Sequence, residues 1–179
     1  MYYSTTHASP IGLITLACDE DNLVGLWIEG QKYYLEPITE AMAENNNMPV
    51  LHAATEWLDR YFAGEKPAVS ELPLAPDGSE FRRNVWKILC EIPYGEVVTY
   101  GSIAKRIAIG MNRDTMSSQA VGGAVGHNPI SIIIPCHRVI GSNGSLTGYA
   151  GGVLTKMKLL ELEGVETSSL FIPKKGTAI

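Results

Sequence analysis

The sequence is poor in cysteine. Its 179 residues include three, Cys18, Cys90 and Cys136. So small and odd a set excludes a disulfide framework and points to a reducing compartment, the cytoplasm. Long apolar runs are absent as well: none approaches the roughly 18–20 residues that a membrane span needs, so no membrane partner is expected. Met1 to Thr5 carry neither a basic stretch nor an apolar one, and a secretory leader is not expected. No internal repeat is evident, and the 18 Gly and ten Pro follow no collagen-like period. What remains is ordinary globular material, with 45% hydrophobic residues and a mean hydropathy of +0.04. That balance excludes wholesale disorder. The length fits one large domain or two small ones.

The net charge of -5 hides an asymmetry. Residues 1–80 hold three basic and thirteen acidic residues, a balance of -10. Residues 81–179 hold eleven basic and six acidic ones, a balance of +5. A basic half behind an acidic one is a reason to look for a local polyanion-binding surface.

The element pattern also divides in two. Ile11 to Cys18 and Leu23 to Ile28, separated by Asp19-Glu20-Asp21-Asn22, read as a hairpin. Ala53, Ala54, Trp57, Leu58, Tyr61 and Phe62 recur at helical spacing, with Gly64 as the stop. The Pro-rich stretch from Lys66 to Gly78 is the expected domain boundary. Beyond it, Ser79 or Glu80 opens a helix that ends at Ile92-Pro93-Tyr94-Gly95. Thr99 caps a short helix containing Ile103, Ala104 and Ile107. Ser117 or Ser118 caps another, running to Gly126. Two short helices joined by a polar turn are compatible with a helix-turn-helix. Ile130 to Ile134 reads as a buried strand closed by Pro135. A Gly-rich loop follows, then a last helix over Thr155 to Glu163, and residues 166–179 read as a loose tail.

The stretch richest in chemistry is Pro135-Cys136-His137-Arg138. Thiolate is the useful nucleophile, and neighbouring cationic or proton-accepting groups favour it. Successive strand side chains diverge, so His137 does not automatically touch Cys136. Either the chain turns sharply at Pro135, or a water bridges the two side chains. A structural, buried cysteine is the alternative. Cys18 and Cys90 lie in apolar patterns and read as packing residues.

These residues resemble the signature of the O6-alkylguanine-DNA alkyltransferases. The resemblance runs in order through Phe81-Arg82-x-x-Val85-Trp86, Ile92 to Tyr100, Ala120 to Ala124, Asn128-Pro129, Pro135 to Arg138 and Gly144 to Gly152. It covers roughly residues 80–165, while the first 75 residues match only loosely. It implies an α+β chain: a small N-terminal domain over 1–77, a mostly helical, winged-helix-like DNA-binding alkyltransferase domain with a helix-turn-helix over 78–166, and a tail over 167–179. The implied activity is DNA repair by direct, once-only transfer of the alkyl group from O6-alkylguanine in duplex DNA to a cysteine, after base flipping from the minor groove. O4-alkylthymine stays open as a second substrate. The partner is duplex DNA, no cofactor is needed, and a monomer is expected. Relatives with a metal site use several Cys and His in the N-terminal domain. Here that domain offers only His7, Cys18 and His52, so no metal is expected.

Residue by residue, the resemblance implies Cys136 as acceptor thiol, His137 as base through a water, Glu163 as the carboxylate orienting His137, and Asn128 as a hinge. Thr99, Tyr100, Gln119, Ala120, Arg138, Tyr149, Ala150 and Gly151 fall on the implied DNA- and base-contacting positions. Tyr100 contacts the target phosphate and donates to guanine N3, and Tyr149 walls the base pocket. Ala150 stands where some relatives have Ser, so a backbone N–H must serve there. Gln119 stands where many carry an intercalating Arg. Arg138 can reach phosphate, yet its place behind a buried site favours a structural role on nearby carbonyls. A non-catalytic lesion-binding relative would lack Cys136, and a Cys-His hydrolase would turn over many times.

Overall fold

The computed structural model describes residues 1–174. The chain divides into two compact units, residues 1–78 with 129–133, and residues 79–128 with the chain from 134 onward. The chain thus leaves the second unit after Asn128, contributes five residues to the first, and returns at Ile134.

The first unit is built on a four-stranded sheet of order β3-β2-β1-β4. Strands β1 (Tyr2–Ser9), β2 (Gly12–Cys18) and β3 (Leu23–Ile28) form an antiparallel meander, and β4 (Met42–Glu44) pairs with β1 in parallel. The expected hairpin is therefore the β2–β3 pair. β4 escaped the sequence reading because three residues are too few to show an alternation. Helix α1 (Pro49–Phe62) buries Val50, Leu51, Ala54, Trp57, Leu58 and Tyr61. It ends where Gly64 takes a left-handed backbone, φ +83°.

The second unit is mostly helical. Helix α2 (Glu80–Cys90) is capped by Ser79, whose hydroxyl accepts from Arg82 N. Strand β5 (Val98–Thr99) leads into α3 (Tyr100–Gly110), capped by Thr99 accepting from Ser102 N at 3.1 Å. Residues 111–117 connect it to α4 (Ser118–Gly126), capped by Ser117. Trp86 Nε1 donates to Ala124 O at 2.9 Å and ties α4 to α2. A short 3-10 helix, Cys136–Arg138, passes into β6 (Val139–Ile140), which pairs in parallel with β5. Helix α5 (Val153–Leu162) closes the unit. No helix of the described residues is long and apolar enough to cross a membrane. The α+β class and the order of a sheet domain before a helical one are as expected.

Two expectations fail. Residues 130–134 are buried, yet they form no strand. Only Ile130 bridges to Leu26 of β3, flanked by Leu26 N donating to Pro129 O and Ser131 N to Leu26 O. Ile133 N then donates to Ser131 O at 2.8 Å, with Ile132 between them at φ +69°. That is a γ-turn of the rare, strained form, in a β-branched residue that normally avoids this region. Cys136 N donates to Ile134 O at 2.8 Å around Pro135 at φ -82°, ψ 63°, an inverse γ-turn. Prolines at 129 and 135 lack the N–H groups that a longer ladder needs. The tail, read as loose, is pinned at Phe171, which bridges to Ser145. Leu146 N donates to Phe171 O and Phe171 N to Gly144 O. Leu170 also packs on Ile140, Leu146 and Leu160. Residues 175–179 of that expected tail lie outside the described residues.

Gly25, in the middle of β3, offers a test of the sheet packing. A Cβ there would lie 1.8 Å from the Trp27 ring, and Trp27 is fully buried with its Nε1 donating to Glu36 O at 3.2 Å. Gly25→Ala must push the indole aside, so we expect a loss of about 1–3 kcal/mol, the usual cost of overpacking. Urea unfolding followed by tryptophan fluorescence measures it, and an unchanged midpoint would contradict this packing.

Candidate active site

The site assembles within the second unit around Cys136. The two γ-turns swing the chain so that Cys136 opens the 3-10 helix, and its side chain is only 4% exposed. The backbone does turn sharply at Pro135. Asn128 Nδ2 donates to Cys136 Sγ at 3.1 Å and to Ile134 O at 2.8 Å. The Asn side chain therefore fixes both the turn and the sulfur. Burial pushes the Cys136 thiol up, opposed by the Asn128 hydrogen bond and the charge of Lys156. The resting group is the neutral thiol.

His137 and Arg138 point their polar ends at one carboxylate. His137 Nε2 lies 2.6 Å from Glu163 Oε1. Arg138 Nε donates to Glu163 Oε2 at 2.8 Å and its Nη2 to Oε1 at 3.0 Å, a two-pronged pair. Gly95 N donates to Glu163 Oε2 at 3.1 Å. Burial alone would raise the Glu163 carboxyl, but the bonds and charges of His137 and Arg138 outweigh it and hold the group well below the usual carboxylate range. An ionised carboxylate can only accept, so Nε2 of His137 carries the proton and Nδ1 is the basic nitrogen of the neutral ring. Burial lowers the pKa of His137, opposed by Glu163, and the imidazole is neutral at rest.

Arg138 completes its set with Nη1 donating to Ile92 O at 2.6 Å and its guanidinium 5.7 Å from the centre of the Tyr94 ring. Buried and bound in this way, it has the carbonyl-binding, structural place. It is not presented as a surface phosphate contact. The Ile92-Pro93-Tyr94-Gly95 turn is thus tied to the site from both ends, since Tyr94 Oη donates to Leu162 O at 3.2 Å.

A second group of residues lines the Gly-rich loop. Tyr149 is buried, its ring edge-on to His137 with centroids 6.4 Å apart. Its hydroxyl has no hydrogen-bond partner among the described residues. Tyr100, first residue of α3, donates its hydroxyl to Thr147 O at 2.7 Å. Gly148 makes this approach possible: its φ is +76°, and a Cβ would stand 2.6 Å from Tyr100 Oη. Ala150 and Gly151 follow Tyr149 in the half-buried part of the loop. Gln119 and Ala120 are exposed in the first turn of α4, and Thr99 is the cap of α3. The site residues thus form one buried set (Cys136, His137, Asn128, Glu163, Arg138, Tyr149), with Tyr100 beside the loop and Gln119 and Ala120 on the helix surface.

The sequence reading passed over Lys156. This α5 residue is fully buried, donating to Val139 O and, at 2.8 Å, to Thr147 O. A lysine in an amphipathic pattern reads as solvated, and nothing in the sequence separates it from Lys158, which is exposed. Among the described residues, no group of three or more His, Cys, Asp or Glu side chains could hold a metal ion.

The chain is similar to known proteins along most of its length. Residues 80–165 match the family model described as 6-O-methylguanine DNA methyltransferase, DNA binding domain. Residues 1–76 match the same family's ribonuclease-like domain. The methylated-DNA–protein-cysteine methyltransferase of Methanosarcina acetivorans is 47% identical over 92% of this chain and 99% of its own. That of Haemophilus influenzae is 39% identical over 91% and 87%. Among solved structures, Mycobacterium tuberculosis O6-methylguanine methyltransferase has a TM-score of 0.77 at 40% identity, covering 98% of this chain and 97% of that one. The M. tuberculosis protein in complex with DNA gives 0.77 and 40%, over 94% of each chain. The chain belongs to the 6-O-methylguanine DNA methyltransferase family.

Proposed function

We propose that the protein repairs DNA by moving the alkyl group of O6-alkylguanine onto Cys136, once per molecule. The observation that carries the reading is the buried Cys136 thiol, hydrogen-bonded by Asn128 and followed in sequence by a histidine whose far nitrogen is held by a carboxylate. A nucleophile, a base and an orienting group occur together there. Residues 78–166, apart from Gly78 and residues 129–133, which belong to the first unit, serve as the DNA-binding alkyltransferase domain, and residues 1–77 are the preceding one. The three free cysteines support a reducing compartment, the cytoplasm.

The geometry supports the following steps. The thiol gives its proton through a water to Nδ1 of His137, and Glu163 stabilises the resulting imidazolium. The thiolate attacks the alkyl carbon on O6: the S–C bond forms, the C–O6 bond breaks, and the electron pair leaves with guanine. Guanine leaves more readily when protonated, and the Tyr100 hydroxyl supplies a donor once it exchanges Thr147 O for the base. The product is a thioether, a poor leaving group, so no second cycle follows. Tyr149, Ala150 and Gly151 bound the base pocket. The target carbon is stacked inside duplex DNA, so the base must be extruded. Gln119 and Ala120, on the exposed first turn of α4, face the minor groove, with Thr99 at the cap of α3 near the backbone. Arg138 serves by holding Glu163 and the Ile92 carbonyl.

Intact mass after mixing with duplex containing O6-methylguanine tests the core of the reading. One added methyl group on Cys136 is expected, and Cys136→Ala should bind the duplex without repairing it. Repeated turnover, or methyl on Cys18 or Cys90, would sink the reading.

His137→Gln and Glu163→Gln should each slow transfer by roughly 10²–10⁴, the usual loss of acid–base help. Their double variant should be scarcely worse than the slower single, because a relay loses its function once. Glu163→Gln should also lower the melting temperature more than His137→Gln, since only it strips Arg138 of a buried partner. Multiplying rate losses would contradict the relay.

Gln119→Gly should slow transfer from duplex far more than from the free base O6-benzylguanine, because only the duplex reaction includes base extrusion. Equal slowing on both would instead place Gln119 in the shaping of the pocket.

A further inference from the structure

The Gly-rich loop that presents Tyr149 is poorly equipped to hold its own shape. Five of the twelve residues from Gly141 to Gly152 are glycine. Gly144, Gly148 and Gly152 take left-handed φ values of +88°, +76° and +88°. Such a segment has much conformational freedom to lose, so its form must be set from outside. Its first part closes on itself: Gly141 N donates to Ser145 O and Gly144 N to Gly141 O, both at 2.9 Å. Leu146 and Thr147 are instead bonded from other elements. Thr147 O accepts from Tyr100 Oη at 2.7 Å and from Lys156 Nζ at 2.8 Å. Leu146 N donates to Phe171 O at 2.9 Å, while Gly144 O accepts from Phe171 N at 3.1 Å.

Phe171 belongs to the chain that follows α5, and several features seat it there. Leu170 packs on the buried Ile140, Leu146 and Leu160, a cluster that Val97, Met157 and Val165 also cover. A turn in which Leu170 N donates to Thr167 O at 3.0 Å directs the chain toward the loop. Gly144 leaves room for it, since a Cβ there would stand 2.3 Å from Ser169 O. Any side chain at 144 would collide with the backbone crossing it. The Phe171 side chain is itself exposed, so the contact is made by its backbone, on both sides of Ser145. Residues 167–171 thus cross the loop as a strap, anchored by Leu170.

Building on the alkyl-transfer reading, we propose that this strap is a positioning element for that reaction: it holds the loop of Tyr149 in place against Cys136, and Leu170 is its anchor. The reaction itself makes the strap necessary. When Tyr100 turns its hydroxyl from Thr147 O to the base, the loop loses a bond two residues before Tyr149. The bond from Leu146 N to Phe171 O, one residue earlier, stays. The strap acts on the loop, whereas the sulfur keeps its own partner, Asn128. Losing the strap therefore weakens the handling of the base and leaves the reactivity of the thiol intact.

The test separates these two effects. In the full chain, Leu170→Ala removes the anchor and Leu170→Met refills its space. Chains ending at Glu166 and at Lys174 are compared, which assigns the effect to residues 167–174. Three reactions are followed by intact mass, below the melting temperature of every variant: benzyl transfer from free O6-benzylguanine at increasing concentration, methyl transfer from O6-methylguanine duplex, and alkylation of Cys136 by iodoacetamide. Leu170→Ala and the chain ending at Glu166 should slow both transfers about tenfold or more, since a misplacement of about 1 Å can cost about 10²-fold. The half-saturating concentration of O6-benzylguanine should rise with it. Iodoacetamide needs no base pocket, so its rate should not fall. Leu170→Met, which nearly conserves volume, should transfer near the parent rate. Hydrogen exchange at the Leu146 N–H should accelerate in the two slowed proteins. If the chain ending at Glu166 does not fold, Leu170→Ala decides. Parental transfer rates in folded Leu170→Ala overturn the proposal, and so does an equal slowing of iodoacetamide, which would mark a general loss of the site. A parent protein that accepts no alkyl group from either alkylguanine overturns the alkyl-transfer reading instead. Leu146 exchange then still reports whether the strap holds the loop.

Discussion

The second unit depends on one carboxylate. Glu163 sits at the C-cap of α5, where the helix dipole disfavours a negative charge. It remains ionised because His137, two nitrogens of Arg138 and the Gly95 backbone all donate to it. Those four bonds join the reactive turn, the Ile92–Gly95 turn and the last helix. The same contact sets the His137 tautomer, which decides which ring nitrogen can accept a proton. Removing the carboxylate would leave Arg138 buried with only the Ile92 carbonyl and the Tyr94 ring. Structure and chemistry share this one group, so its loss cannot be assigned to either alone.

Much of the fold was legible because its signals are local. Ser79, Thr99 and Ser117 each accept from a backbone N–H in the first turn of the helix they cap. The α1 face follows helical spacing, and β2 and β3 are apolar runs around an acidic turn. The site was legible for a different reason: Pro135-Cys136-His137-Arg138 and the distant Glu163 are tied by family resemblance, and no local pattern links residues 26 positions apart. Lys156 stayed hidden because its burial depends on two carbonyls, Val139 and Thr147, which no side-chain pattern reveals.

The misread strand at 130–134 shows where local signals end. Four isoleucines in five residues satisfy every propensity for β-structure. Yet the segment joins two units over five residues, one end bridging to Leu26 and the other presenting Cys136. A strand would send successive side chains to opposite faces. A chain that must redirect itself within this distance needs turns, even with Ile132 in a left-handed conformation. Strain of that kind persists only where the surroundings over-determine it. Here Ser131 is fixed through its N–H to Leu26, and Asn128 grips Ile134 O.

The resting thiol fits the once-only acceptor role proposed for Cys136. All three cysteines have pKa values raised chiefly by burial, Cys18 and Cys90 to about 11. Low thiol pKa at rest therefore does not single out Cys136. A standing thiolate would also be open to oxidation, and for a once-only acceptor each such event removes a molecule from use. What distinguishes Cys136 is the set of groups already in place to receive charge: the Asn128 amide on its sulfur and a neutral histidine oriented by Glu163. The Asn128 amide acts weakly on the neutral thiol but binds the thiolate strongly, because hydrogen bonds to an ionised acceptor are the stronger ones, and His137 becomes a cation only as it takes the proton. Their effect is greatest as the proton leaves, which is when the reaction needs it.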